Sequence, residues 1–348
     1  MNKLDTRRRF VRETTWRITP ILLLIAVTVV GCGGGDTQSV PTAVQPVSTP
    51  TLVSPTPTSA APTPTAVPPT PTFVQPTPAY TVEVTKDVEY VTLLQPDAPV
   101  QKLNVYAPTE PGPWPVVVLM HAWYQSKDNT IYTSFAEELA GRGVVVFVPQ
   151  RRSESSTLYE YVLDNGRDIR EVQGSWACGI RFAREQAADY GGDPDRITVL
   201  GHGASGLETA FFGDDLQQLW EEFALLRGGP PPQTECLGGG DSARVDAYIG
   251  YGGDLHYYER LSESDPELWE LTSPFAVIGR NPSLLIHLVH GGRANPSYIE
   301  RAVEYHEDLV NAGYDATQTL LGEADWQIPF SGPDREALIQ LILEEARR

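Results

Sequence analysis

One stretch of twelve residues constrains the fold more than any other: Asp195-Arg196-Ile197-Thr198-Val199-Leu200-Gly201-His202-Gly203-Ala204-Ser205-Gly206. Ile197 to Leu200 is a short apolar run, which reads as a buried strand. Mostly small residues follow, and an apolar-periodic segment beginning at Leu207 predicts a helix. A buried strand that turns sharply into a helix is a unit of a parallel sheet, because parallel strands need crossover connections and helices are the usual ones.

The sequence around this stretch repeats the alternation. Val88–Leu93 and Leu103–Tyr106 alternate apolar and polar residues and read as two leading, antiparallel-type strands. Val116–Met120 and Val144–Val148 are apolar enough to be buried on both faces, and Phe135–Ala140 between them reads as a helix stopped by Gly141 and Gly143. A long amphipathic helix lies within 166–190 (Ile169, Val172, Trp176, Ile180, Ala183). Gly228 to Gly240 reads as a Gly/Pro-rich loop. Further strands are expected at Val245–Ile249, Leu284–Val289 and Thr317–Leu321, and helices at Ser297–Ala312 and Asp334–Ala346. The fold class is therefore α/β: a mostly parallel central sheet with helices on both faces.

This order, the turn at Gly203 and the segment Tyr190-Gly191-Gly192-Asp193-Pro194-Asp195-Arg196-Ile197 resemble the α/β-hydrolase superfamily. The likeness is to its carboxylesterase, feruloyl-esterase and dienelactone-hydrolase-like branch, and it covers nearly all of residues 81–348. It implies an α/β-hydrolase fold in which a G-x-S-x-G elbow carries a serine nucleophile, followed along the chain by an acid and then a histidine base. Each position can be located. The serine falls on Gly203, which has no nucleophilic side chain. Ser205, two residues on, reads as a packing or capping residue. The acid falls on Ala294 in His290-Gly291-Gly292-Arg293-Ala294-Asn295-Pro296, or on Asn295 with a shift of one, and no Asp or Glu occurs anywhere from Gly279 to Ile299. The base falls on Asp325 in Gly322-Glu323-Ala324-Asp325-Trp326, or on Trp326 with a shift of one. No histidine follows His306, which reads as an exposed residue of the preceding helix.

Triad members act as a unit, so three empty positions imply a scaffold without triad chemistry and no catalytic residues are expected. The His121-Ala122-Trp123-Tyr124 loop resembles the family's oxyanion loop. A vestigial pocket is expected among His121, Trp123, Tyr124, Gly203, Ser205, Asp325 and Trp326, with rings suited to a carbohydrate or aromatic ligand. No metal is expected: His202, His256, His287 and His290 lack the spacing of a His-Glu-x-x-His site, and three residues separate-facing along a strand, as in His287-x-x-His290, turn to opposite faces. No cofactor is expected either, since Gly238-Gly239-Gly240 lacks the helix of a phosphate loop. Asp254-Leu255-His256 is a candidate acid–base pair near the mouth.

The N-terminus carries a different instruction. Arg7-Arg8-Arg9 precedes an apolar run from Ile21 to Val30 and then Gly31-Cys32, the layout of an export signal. The arginine pair resembles a twin-arginine signal, and Val29-Val30-Gly31-Cys32 resembles a lipobox, which implies a lipid anchor on Cys32 and an extracytoplasmic, membrane-attached protein. Residues 1–32 are thus expected to be the signal and 33–80 a Thr/Pro-rich, disordered stalk that cannot bury a core, with 81–348 as the folded domain. The chain has a formal charge of −19. Such an acidic balance argues against nucleic acid as a partner. In an oxidising compartment Cys178 and Cys236 either pair or remain two buried thiols. The expected function is that of a lipid-anchored, inactive hydrolase-fold binding module. The alternatives are a carboxylic ester hydrolase using displaced residues (Ser205 with His121, His202 or His256) and a structural surface protein.

Overall fold

A computed structural model describes residues 79–93, 100–122, 125–151, 167–203, 205–216, 218–219, 221, 234–253, 255, 262–263 and 265–348. The expected signal with Cys32, nearly all of the stalk, Trp123, Tyr124, Asp254 and His256 lie outside the described residues.

The strands are β1 Val82–Leu93, β2 Gln101–Pro108, β3 Trp114–Met120, β4 Val145–Pro149, β5 Gly192–His202, β6 Thr234–Cys236, β7 Ala247–Tyr251, β8 Leu285–Gly291 and β9 Ala316–Leu321. The helices are α1 Thr130–Ala140, α2 Arg167–Gln186, α3 Leu207–Phe212, α4 Pro266–Thr272, α5 Pro296–Asn311 and α6 Pro333–Ala346. The strands form one sheet in the order β6-β1-β2-β4-β3-β5-β7-β8-β9. From β4 through β9 neighbours run parallel. β1 and β2 pair antiparallel, and β2 joins β4 antiparallel. The two leading strands thus extend one edge of a parallel sheet.

Period-two alternation decides what each strand buries. Along β3, Val116, Val118 and Met120 face one core with Trp176 of α2, Phe211 of α3 and Tyr305 of α5. Val117 and Leu119 face the other, with Phe135 of α1 and Ile339 of α6. A strand sealed on both sides has no polar face to show, which is why β3, β4 and β7 read as continuous apolar runs.

Helix α4, the early start of β1, and two further elements differ from expectation. β6 falls inside the segment that reads as a loop. Its three residues pair antiparallel with Val91–Leu93 of β1, and Cys236 is disulfide-bonded to Cys178 of α2. A bridge across 58 residues removes chain entropy from the unfolded state, on the order of 4 kcal/mol in the loop-closure picture. β5 also starts earlier than its apolar run, at Gly192, because Gly192 pairs with Trp114 across an irregular register.

Candidate functional site

The end of β5 turns sharply into α3, and steric contact fixes that turn. A Cβ on Gly201 would lie 2.0 Å from the Ser205 carbonyl oxygen, and one on Gly206 would lie 2.1 Å from Met120 Sδ. Both glycines let the turn fold back on itself and settle against β3. Gly203 is different. Its φ of +71° is the left-handed conformation of a sharp strand-to-helix turn, but a Cβ there would meet no atom of the described residues within 4 Å. Among the described residues nothing fills the space at the tip of the turn. Gly203 N–H donates to Tyr251 O at 2.8 Å, which ties the tip to β7.

Ser205 does not cap α3, whose N-cap is Gly206 with no side-chain bond. Its hydroxyl donates instead to His121 O at 2.9 Å. His121 and Ser205 are both buried, so they support the turn from beneath. Of the expected pocket residues that are described, Gly203, Trp326 and Asp325 retain exposure.

The residues that the resemblance would put at the acid and base positions have other partners. Ala294 is buried, and Asn295 is the N-cap of α5, accepting from Ser297 N at 3.1 Å. Gly291 and Gly292 allow the loop after β9 to press onto the end of β8, since a Cβ on Gly291 would come within 2.2 Å of the Ala324 and Asp325 carbonyl oxygens. Arg293 N–H donates to Ala324 O at 2.9 Å, and Tyr251 OH to Asp325 O at 3.0 Å. These bonds hold Asp325 outward, where its Oδ1 accepts Gln327 N at 2.7 Å. Trp326 lies over the turn: its ring stacks on His202 at 5.6 Å with an interplanar angle of 21°. A concavity of about 380 Å³ opens beside this loop, lined by Asp325, Gln327, Phe330 and Asp334 among others.

Known proteins share this architecture. Esterase B from Lactobacillus rhamnosis is 15% identical, with a TM-score of 0.56 over 79% of this chain and 87% of that one. A thermophilic esterase from Thermogutta terrifontis, Est2, in a butyrate-bound structure, is 21% identical, with a TM-score of 0.52 over 75% of this chain and 92% of that one. The fold is an α/β-hydrolase fold. In sequence, gut esterase 1 of Caenorhabditis elegans is 28% identical over 110 residues, 29% of this chain. The chain spans only 18% of the length of that curated relative. No protein-family model matches the chain.

Within the α/β-hydrolase fold, the imidazoles near the elbow are turned away from base chemistry. His202 Nε2 lies 3.0 Å from Trp326 O, and Nδ1 lies 2.7 Å from Tyr132 OH. Burial lowers the pKa of His202 to about 4, against partial compensation from the Trp326 carbonyl and Asp325. The ring is therefore neutral near pH 7. A carbonyl oxygen only accepts, so the proton sits on Nε2 and Nδ1 accepts from Tyr132. The same hydroxyl oxygen accepts Ala122 N–H at 2.9 Å and touches the Gln125 amide. Since Tyr132 has one proton and gives it to His202, Gln125 must present its NH₂ there; amide orientation follows from the network.

His121 is driven lower, to about 3, by burial first and then by Arg151. Its Nδ1 lies 2.9 Å from Ala122 O, and Nε2 accepts Arg151 N–H at 3.4 Å. His290 is also held below the usual range by burial, with Nε2 3.3 Å from Gly253 O. His306 is half-buried rather than exposed, its Nε2 3.1 Å from Ala316 O.

Sequence reasoning missed the residues that hold this end of the molecule. Tyr132 lies ahead of the expected helix 135–140, in the first turn of α1, and its hydroxyl joins the β3 loop to the elbow. Lys127 lies in the loop after β3. Its buried Nζ bonds Asp87 at 2.9 Å, Asn104 at 3.1 Å and Asp128 at 2.8 Å, pinning the loop after β3 to β1 and β2. No local pattern marks either residue.

Proposed function

We propose that the elbow end of this protein is a binding site on an α/β-hydrolase fold, without triad hydrolysis. The observation that carries this reading is Gly203: the turn keeps a left-handed φ of +71° and open space at its tip, and no nucleophile occupies it. Ser205 is committed to His121 O, His121 faces backbone groups, and His202 faces the Trp326 carbonyl and the Tyr132 hydroxyl. Trp326 offers a half-exposed ring for an aromatic or carbohydrate face. In this reading the chain is exported and anchored through Cys32, and the domain presents its elbow to ligands outside the cytoplasm.

The second reading is a carboxylic ester hydrolase that uses displaced residues, and it has specific support: the relatives named above are esterases. Fold alone does not establish activity, which belongs to the site. The deciding experiment maps a fluorophosphonate adduct on the full chain and screens glycans and phenolic compounds for binding. Expected are no adduct within residues 201–206 and a ligand whose affinity drops with Trp326→Ala. An adduct within 201–206 overturns the binding reading.

A further inference from the structure

His287 lies between a hydroxyl and a carboxylate. It is in register with Thr317 across β8 and β9, so both side chains stand on the sheet face covered by α6. His287 Nδ1 is 2.5 Å from Thr317 Oγ1, and Nε2 is 2.7 Å from Glu345 Oε2. A carboxylate oxygen accepts, so the ring N–H that meets Glu345 is the one on Nε2, and Nδ1 is the nitrogen that faces the threonine hydroxyl. Hydroxyl, imidazole and carboxylate therefore stand in the order and at the distances of a hydrolytic triad, which is recognised by geometry and roles and not by sequence position.

The surroundings fit those roles. Glu345 is 1% exposed, and its Oε1 accepts Arg196 at 2.7 Å, with Arg348 3.3 Å from Oε2. His287 is buried, whereas Thr317 is exposed on the last strand of the sheet. The base and its orienting acid are buried, and the residue that carries the hydroxyl is exposed. The backbone adds a donor. Ile286 N–H donates to Asp315 O at 3.0 Å and Gly292 N–H to Leu321 O at 2.5 Å, so odd-numbered residues of β9 turn toward β8. Ala316 O turns the other way and meets His306. Gln318 shares the phase of Ala316, so its N–H faces the open edge. It belongs to the residue after Thr317, the same relation that supplies an oxyanion donor at a hydrolase elbow.

We propose that Thr317, His287 and Glu345 form a second site, at the strand edge, that cleaves small activated carboxylic esters. Thr317 Oγ1 attacks the ester carbonyl carbon while its proton passes to His287 Nδ1. Glu345, as a positioning residue, holds the imidazolium through Nε2, and the oxyanion lies against Gln318 N–H. Collapse breaks the bond to the leaving oxygen, which takes the proton from Nδ1. Water then adds to the acyl-threonine carbonyl by the same route, releasing the acid and restoring Thr317. The substrate class is short acyl esters of phenols, whose leaving groups need little help. The site shares no residue with the elbow and goes beyond the binding reading.

The test uses the full chain with p-nitrophenyl acetate and a fluorophosphonate, with the adduct mapped by peptide mass spectrometry. Expected are an adduct on Thr317 and a loss of kcat/KM on the order of 100-fold in Thr317→Val, the lower end of what a positioned base contributes. Thr317→Ser retains turnover and labelling, while His287→Gln loses both. Thr317→Val keeps the β-branched shape at an exposed position, so it tests the chemistry even where His287→Gln fails to fold. No adduct on Thr317, or turnover unchanged in Thr317→Val, overturns this site and leaves the elbow reading intact. A label confined to 201–206 overturns both.

Discussion

The molecule holds two kinds of histidine centre, and they differ in what the ring nitrogens face. At the elbow end, His121 and His202 sit where an α/β-hydrolase fold concentrates its chemistry, yet their nitrogens meet backbone groups and the Tyr132 hydroxyl. At the edge of the sheet, His287 sits where the fold puts ordinary packing, yet it joins a hydroxyl to a buried carboxylate. At the elbow the turn carries a glycine at its tip; at the edge a hydroxyl, an imidazole and a carboxylate stand in line. Position in a fold and competence of a site are separable properties.

Acid should expose the difference most strongly. His121 and His202 are held neutral by burial, with values of about 3 and about 4. In the unfolded chain each protonates near 6.5. As pH falls below that value the unfolded state binds protons that the folded state refuses, so the stability these rings contribute is present above 6.5 and is lost toward 4 and then 3. Two such groups cost on the order of 4 kcal/mol between pH 6.5 and 5. The thermal midpoint should fall over that interval; a flat midpoint from pH 7 to 5 would show that the elbow rings titrate freely.

Next in size is Gly201→Ala. Its Cβ would collide with the Ser205 carbonyl, which is backbone and has no rotamer to yield. Overpacking of this kind costs about 3 kcal/mol, read as a lower urea midpoint at unchanged slope. A wild-type midpoint would mean that the turn does not fold back over β5. Tyr132→Phe should cost about 2 kcal/mol, because it leaves Ala122 N–H and His202 Nδ1 buried without their partner. The edge-strand ester turnover should be unchanged in that variant. A Tyr132→Phe protein that loses both stability and turnover would couple the two centres and erase the contrast drawn between them.

The sequence was legible where burial is one-dimensional. β3, β4 and β7 announce themselves because both faces are sealed, and the elbow announces itself because small residues must follow its strand. β6 was not legible: Thr234-Glu235-Cys236 has no apolar period and is a strand only because β1 and the disulfide hold it. The same division runs through the sites. Gly203, Ala294 and Asp325 lie within short motifs, so the residue types at those positions can be read from the letters. His287 is 30 residues from Thr317 and 58 from Glu345, so only the sheet register and the seat of α6 bring them together. Lys127 reaches Asp87, 40 residues away, and Tyr132 reaches His202, 70 residues away.

Gly203→Ser gives the smallest expected change and the sharpest test of the elbow. Space is not the obstacle, since a Cβ at Gly203 meets nothing within 4 Å. The positive φ of 71° costs a non-glycine residue about 1–2 kcal/mol. The restored hydroxyl would find His202 with its Nδ1 taken by Tyr132 and its proton directed at Trp326 O, and His121 buried and neutral. Asp325 stands at the base position, held outward by its carbonyl bond to Tyr251. A serine without a base is a poor nucleophile, so the variant should fold and bind as the wild type does and gain no ester turnover beyond that of Thr317. Measured in the Thr317→Val background, a gain of 10-fold or more over that background would place a working base at the elbow and return this end of the molecule to catalysis; the order-of-magnitude threshold corresponds to roughly 1.4 kcal/mol of transition-state stabilisation.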